Sequence, residues 1–168
     1  MREIIGFHVE RDENGYLSNW YPSRFTLDGV TFSSMEQYMM YKKAVIFGDT
    51  ENAKKIMESD DPAKIKAAGR RVTGYDDHFW NGIRQIVVYE GLMAKFAQNA
   101  DLREKLLGTG TALLAEFAGT DPVWGIGLNT FNPDRYDTSK WRGRNLLGYT
   151  LMIVREKLRN GETGSSHF

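Results

Sequence analysis

Asp76-Asp77-His78-Phe79-Trp80-Asn81-Gly82-Ile83-Arg84-Gln85-Ile86-Val87-Val88-Tyr89-Glu90-Gly91-Leu92-Met93-Ala94-Lys95-Phe96-Ala97-Gln98 is the longest stretch of the chain that keeps one periodicity. The aspartates at its start supply an N-cap, and Phe79, Trp80, Ile83, Ile86 or Val87, Met93 and Phe96 form a core-facing stripe. A helix of this length predicts the scaffold of a mainly α domain. Gly91 inside it costs up to about 1 kcal/mol relative to alanine, which predicts another element packed closely against that point.

On the C-terminal side, Asp101 is expected to cap a short helix ending at Gly108. Residues 112–118 suit either a strand or a helical turn, and periodicity does not decide between them. From Gly119 to Gly143 the chain is rich in Gly, Asp, Pro and aromatics, a long irregular segment of the kind that carries function. A last helix follows from Leu146 to about Leu158, and 161–168 is expected to be a flexible tail.

On the N-terminal side, residues 4–10 alternate as a short strand, and Asn14-Gly15 predicts a hairpin after it. Residues 16–23 are an aromatic and polar loop. Phe25 to Phe32 reads as two strands about an Asp28-Gly29 turn. Helices are then expected from Ser33 toward Phe47, from Thr50 to Met57, and from Asp61-Pro62 to Gly69. Residues 1–160 thus form a single compact helical domain with a small N-terminal β element, and there is no internal repeat.

The chain has 168 residues, with 22 basic and 22 acidic side chains and no cysteine. Such a length buries a core without staples. The absence of cysteine excludes disulfides, zinc–thiolate sites and a cysteine nucleophile, and fits a reducing, cytoplasmic setting. Zero formal charge supplies no global field for a nucleic-acid backbone or an anionic membrane, so any phosphate must be held locally. No apolar run approaches the length of a membrane span, and a soluble chain without a targeting segment is expected.

Ser33-Ser34-Met35-Glu36-Gln37-Tyr38-Met39-Met40-Tyr41-Lys42-Lys43 places Glu36 and Lys43 seven residues apart. On a helix that is about two turns and roughly 10 Å of rise, so both side chains leave from nearly one face. Two readings of this helix compete. Ser33-x-x-Glu36 is a capping box with Lys43 a solvated charge, or the two residues flank a ligand. Walker, Rossmann, His-Glu-x-x-His and Gly-x-Ser-x-Gly patterns are absent, and His8, His78 and His167 are scattered. Carboxylate and lysine chemistry remains. Glycosidic hydrolysis needs an acid for the leaving group and a base or nucleophile near the anomeric carbon, and Glu36, Asp121 and Lys43 are suitable types. Trp124 is either a stacking surface for a planar base or a core tryptophan.

Leu17-Ser18-Asn19-Trp20-Tyr21-Pro22-Ser23, Phe32 to Tyr38 with Lys43-Ala44, and Phe47-Gly48-Asp49 together resemble the NADAR family, also called YbiA-like. The likeness continues through Gly69-Arg70, Leu92 to Phe96, Leu113-Leu114-Ala115-Glu116, Asp121 with Trp124-Gly125-Ile126-Gly127, and Gly143 to Gly148. The resemblance implies a mainly α fold and an N-glycosidase without cofactor or metal. Family members act on phosphorylated riboflavin-pathway ribosides, releasing ribose 5-phosphate from an aminopyrimidine, or remove ADP-ribose from guanine. Nucleic acid is therefore implied only as a modified substrate. By position, Glu36, Lys43 and Asp121 become the catalytic set, and Asn19, Tyr21, Arg70, Trp124, Gly125 and Asn145 the substrate-binding set. A binding module that senses ADP-ribose or a nucleotide without cleaving it is the reading from another class. The chain departs from the family pattern at Asn81, where relatives carry Asp, and at Met35 and Met40, departures that bear on pocket shape and hence on substrate.

Overall fold

The computed structural model describes residues 2–162. The tail expected over 161–168 therefore lies, from residue 163 onward, outside the described residues. In chain order the elements are strand β1 (Ile4–Phe7), a 3-10 turn (Gly15–Leu17), strands β2 (Phe25–Leu27) and β3 (Val30–Phe32), and helices α1 (Met35–Ile46), α2 (Thr50–Met57), α3 (Pro62–Gly69), α4 (Asp77–Gln98) and α5 (Ala100–Gly108). Strand β4 (Leu113–Glu116), two 3-10 turns and helix α6 (Leu146–Arg159) complete the fold.

The stop and start signals act as the sequence predicts over most of the helices. Asp76 accepts from Phe79 N–H at 2.9 Å, Asp61 from Ala63 N–H at 2.9 Å, and Asp49 from Asn52 N–H at 3.1 Å. Each satisfies a donor that the first helical turn leaves free. Asp28 and Gly29 both take positive φ, 52° and 77°, the backbone of a tight hairpin turn, and join β2 to β3 in antiparallel register.

Helix α4 is the central scaffold. Trp80, Val87, Val88, Leu92, Met93 and Phe96 are buried on it, whereas Phe79 and Ile86 are each 52% exposed, so the core stripe is narrower than expected at its start. Gly91 is the contact point with α1: a Cβ there would meet the Tyr38 ring at 2.5 Å and Met35 Cε at 2.8 Å. Tyr38 in turn packs edge-on against Phe32 and Phe25, which ties the β2–β3 hairpin to α1.

Two expectations are corrected. Strand β1 does not fold back on itself at Asn14-Gly15; it pairs in parallel with β4, Ile4 opposite Leu113 through Phe7 opposite Glu116. A parallel pair needs a long crossover, which the intervening helices provide, and it settles 113–116 as strand. Asn14 instead donates from Nδ2 to Gly6 O at 3.2 Å and leads into the 3-10 turn. Helix α5 begins after Asn99, two residues ahead of Asp101, which lies within its first turn.

Candidate active site

The N-terminus of α1 resolves the competition over Glu36. The cap is Ser34, whose hydroxyl accepts from Gln37 N–H at 3.2 Å, and Gln37 Oε1 accepts from Ser33 N–H at 2.7 Å. The box is displaced by one residue, and Gln37 performs the back-bonding that a Ser33–Glu36 pair would have performed. Gln37 Nε2 also donates to Ile56 O and Ser59 O, at 3.2 and 2.9 Å, which fixes α2 against α1. Glu36, 4% exposed, is left free of capping and faces a cavity.

That cavity holds about 240 Å³. Helix α1 gives it Glu36, Met40 and Lys43, one face at intervals of three and four residues. Helix α3 gives Lys66, its C-cap residue Arg70 follows four residues on, and α4 gives Trp80. The end of β4 gives Glu116, and the loop after it gives Asp121 and Trp124. The loop before β2 closes the wall with Asn19 and Trp20.

The loop carrying Asn19 is pinned by backbone and by a buried cation. Glu36 N–H donates to Asn19 O at 2.9 Å, so loop and helix mouth are joined directly. Lys95, 0% exposed, donates from Nζ to Tyr16 O at 2.7 Å and Ser18 O at 3.2 Å. Burial lowers its pKa to about 7. Asp121 Oδ1 accepts from Val123 N–H and Trp124 N–H, both at 2.9 Å, so this carboxylate shapes its own turn while bordering the cavity.

Burial also sets the acidity of the site. It pushes the Glu36 carboxyl up to about 7; Lys66, Arg70 and Lys43 oppose the shift and Asp121 adds to it. Glu116 is pushed up to about 8 by burial, with the charges of Asp121 and Glu36 adding to the effect. Lys43 moves the other way: desolvation lowers its pKa, as does Arg70, against the attraction of Glu36. Its Nζ donates to Gly69 O at 2.9 Å and lies 4.5 Å from the Tyr75 ring centre. A carboxyl whose pKa rises and an amine whose pKa falls, both bordering one cavity, narrow the energy gap for moving a proton between them, a condition that favours acid–base work. Asn19 Oδ1 and Glu116 Oε2 are buried without hydrogen-bond partners, two oxygens bordering one cavity.

Of the residues singled out in the sequence, Asn19, Glu36, Lys43, Arg70, Asp121 and Trp124 meet at this cavity. Tyr21, Gly125 and Asn145 do not. Tyr21 packs against the main core, its ring centre 5.7 Å from Lys95 Nζ. Gly125 sits where a Cβ would come within 2.8 Å of Ala118 Cβ and 3.1 Å of Glu116 O, a backbone packing position. Asn145, 0% exposed and left-handed at φ 51°, uses its amide inside the protein. It accepts from Glu116 N–H at 3.1 Å and donates to Leu114 O at 2.9 Å, so both amide atoms are engaged in holding the β4 end that carries Glu116.

Glu116, Lys66, Trp20 and Trp80 border the cavity and were not among the sequence candidates. Lys66 was readable as the residue one helical turn before Arg70. Glu116 was readable as a lone carboxylate closing an apolar run, Leu113-Leu114-Ala115, an expensive place for a charge. Among the described residues, no group of three or more His, Cys, Asp or Glu is arranged to hold a metal ion, and no helix is long and apolar enough to cross a membrane.

A mainly α domain built around buried carboxylic acids and a desolvated lysine has the equipment of a hydrolase, and comparison with known proteins gives its kinship. The NADAR domain model matches residues 6–159, and the chain belongs to that family. A protein of Acanthamoeba polyphaga mimivirus named N-glycosidase is 43% identical over 145 residues, covering 83% of this chain and 85% of that protein. N-glycosidase YbiA of Shigella flexneri is 32% identical, covering 92% of this chain and 88% of its own length. A riboflavin biosynthesis protein of Vibrio vulnificus is 32% identical over 95% of this chain but only 40% of that longer protein. The NMR structure of the Escherichia coli protein YbiA superposes with a TM-score of 0.79 at 30% identity, covering 99% of this chain and 90% of that one. The chain is a glycosyl hydrolase by this kinship.

Proposed function

We propose that the enzyme hydrolyses the N-glycosidic bond of a small phosphorylated riboside, an early riboflavin-pathway ribosylaminopyrimidine phosphate, and releases ribose 5-phosphate. The observation that carries this reading is the Glu36–Lys43 pair, whose pKa values burial moves toward each other in one cavity. Glu36 takes the proton of the Lys43 ammonium, and the amine attacks the anomeric carbon as the bond to the base breaks. The base nitrogen leaves with the bonding electron pair and a proton from a carboxylic acid of the pocket. The sugar–lysine adduct opens to an imine, and water hydrolyses it to free sugar and ammonium. Asp121 orients a ribose hydroxyl, and Asn19 Oδ1 accepts from a second. Lys66 on α3 and Arg70 at its C-cap, both exposed and four residues apart, hold the phosphate at the mouth. No cofactor takes part, and a cytoplasmic location suits such a metabolite.

Removal of ADP-ribose from guanine is the second reading. It is favoured by Arg84, whose guanidinium lies 5.9 Å from the Trp124 ring centre and feels the charge of Arg144. These arginines supply positive charge beyond the first cavity, where a pyrophosphate tail would run. Purified protein incubated with each substrate and analysed by chromatography separates the two readings. Ribose 5-phosphate from the riboside supports the first, and ADP-ribose from an ADP-ribosylated guanine nucleotide supports the second. Saturable binding of either without product would mean a sensor.

A further inference from the structure

A second chamber of about 280 Å³ opens beside the first. Ser18, Trp20, Lys66, Glu116 and Asp121 border both, so the two share a wall. The far side of the second chamber comes from His8, Val9 and Glu10, which follow β1, and from Ala118 and Thr120, which follow β4. Phe117 N–H donates to Phe7 O at 2.8 Å as the final rung between the two parallel strands. Past it the backbones part, and the crevice lies at the carboxyl ends of the strand pair, where parallel strands commonly receive ligands.

The chambers differ in charge. Lys43 and Arg70 border only the first, and Glu10 borders only the second. A phosphate is attracted to Lys43 and Arg70 in the first and would meet the like charge of Glu10 in the second. A neutral ring with amino groups has the opposite preference, since a carboxylate offers only acceptors. Glu116 stands on the dividing wall with Oε2 buried and unpartnered, a group that is costly to leave without a ligand. Trp20, in the same wall, lies 5.9 Å from Lys66 Nζ across its ring.

We propose that the second chamber is the leaving-group subsite: it holds a neutral, amino-bearing heterocycle through Glu10, and Glu116 in the dividing wall protonates the departing nitrogen. This assignment rests on the N-glycosidase reading above. The protons balance. Glu116 gives its proton to the departing nitrogen, and imine hydrolysis returns Lys43 as ammonium. The proton that Glu36 took at the start then passes through water back to Glu116, so one water is consumed per bond cleaved.

The test measures inhibition of the enzyme by each product separately, ribose 5-phosphate and the free aminopyrimidine. In Glu10→Gln the aminopyrimidine should inhibit about ten-fold more weakly or worse, while ribose 5-phosphate inhibits as before. In Glu116→Gln, kcat should fall about 100-fold or more with the ribose 5-phosphate inhibition constant kept, because general-acid catalysis is lost while the unpartnered Oε2 leaves no bond within the protein to break. Weaker inhibition by ribose 5-phosphate in Glu10→Gln would overturn the assignment. So would loss of aminopyrimidine inhibition in Trp124→Ala alone, which would seat the base in the first chamber, or a wild-type kcat in Glu116→Gln. A wild-type protein that never cleaves the riboside would sink the reaction instead. Calorimetric titration of the two products into wild type and Glu10→Gln would then still decide which chamber takes which.

Discussion

Replacing Glu36 with glutamine should make the protein more stable as it makes it inactive, and only above a definite pH. In the folded chain Glu36 keeps its proton up to about pH 7, against 4.5 for the ordinary carboxyl. A raised carboxyl pKa means that the folded state binds more protons between those values. Stability contributed by this group is therefore full below about pH 4.5 and is lost as pH rises through 7. A shift of roughly 2.5 units at about 1.4 kcal/mol per unit gives about 3 kcal/mol at pH 8 and close to nothing at pH 4. Glutamine has the same shape and no charge to desolvate, and the bond from residue 36 N–H to Asn19 O is retained. Urea unfolding of both proteins at pH 4, 6 and 8 reads the difference. With a slope of about 2 kcal/mol/M, the midpoint of Glu36→Gln should lie about 1–2 M higher at pH 8 and coincide with wild type at pH 4. Glu116 is present in both proteins, so its own decline with pH largely cancels in the comparison. A Glu36→Gln protein that is destabilised throughout, or offset by the same amount at every pH, would refute the reasoning.

Other consequences follow from single contacts. Gly91→Ala drives a methyl to 2.5 Å from the Tyr38 ring, and overpacking of about 1–3 kcal/mol should outweigh a helix-propensity gain of up to about 1 kcal/mol, lowering the thermal midpoint. Asn145→Ala leaves Glu116 N–H and Leu114 O without partners and should cost about 2–4 kcal/mol in urea titration; a loss under about 0.5 kcal/mol would show that the amide is not needed there. Lys66→Ala and Arg70→Ala should each raise KM several-fold with kcat little changed, and the wild-type KM should rise with salt, as expected of exposed cations that bind rather than react.

Helices with strong punctuation were legible in the sequence. Asp61-Pro62, Asp76 and the Asp28-Gly29 turn each act through a bond between near neighbours, and local chemistry of that kind is written in consecutive residues. What the sequence hid depends on distant pairing. The partner of β1 lies more than one hundred residues away, so the local Asn14-Gly15 signal pointed to a hairpin that the parallel pairing with β4 displaces. The cap of α1 was misplaced by one residue because Ser33 and Ser34, and Glu36 and Gln37, are adjacent candidates of similar chemistry; what distinguishes them is that Gln37 also reaches the end of α2. In the site, Glu36, Lys43, Arg70, Asp121 and Trp124 were readable by type, spacing and family likeness. Glu116 shows in the sequence only as a costly carboxylate at the end of an apolar run; its weight in the site comes from burial beside Asp121 and Glu36, a meeting of three segments. Asn145 poses the complementary case: local sequence shows a polar residue beside a helix start, and only the fold shows its amide bonded to Glu116 and Leu114.

The central claim is that Lys43 attacks the sugar with Glu36 as its proton partner. The most direct measurement is borohydride added during turnover of the phosphorylated riboside, followed by mass analysis of the peptide carrying Lys43. The account predicts a reduced sugar phosphate fixed on Lys43 in the wild type and little or none in Glu36→Gln. Rapid turnover with no adduct on Lys43, or an adduct that forms equally in Glu36→Gln, would contradict it.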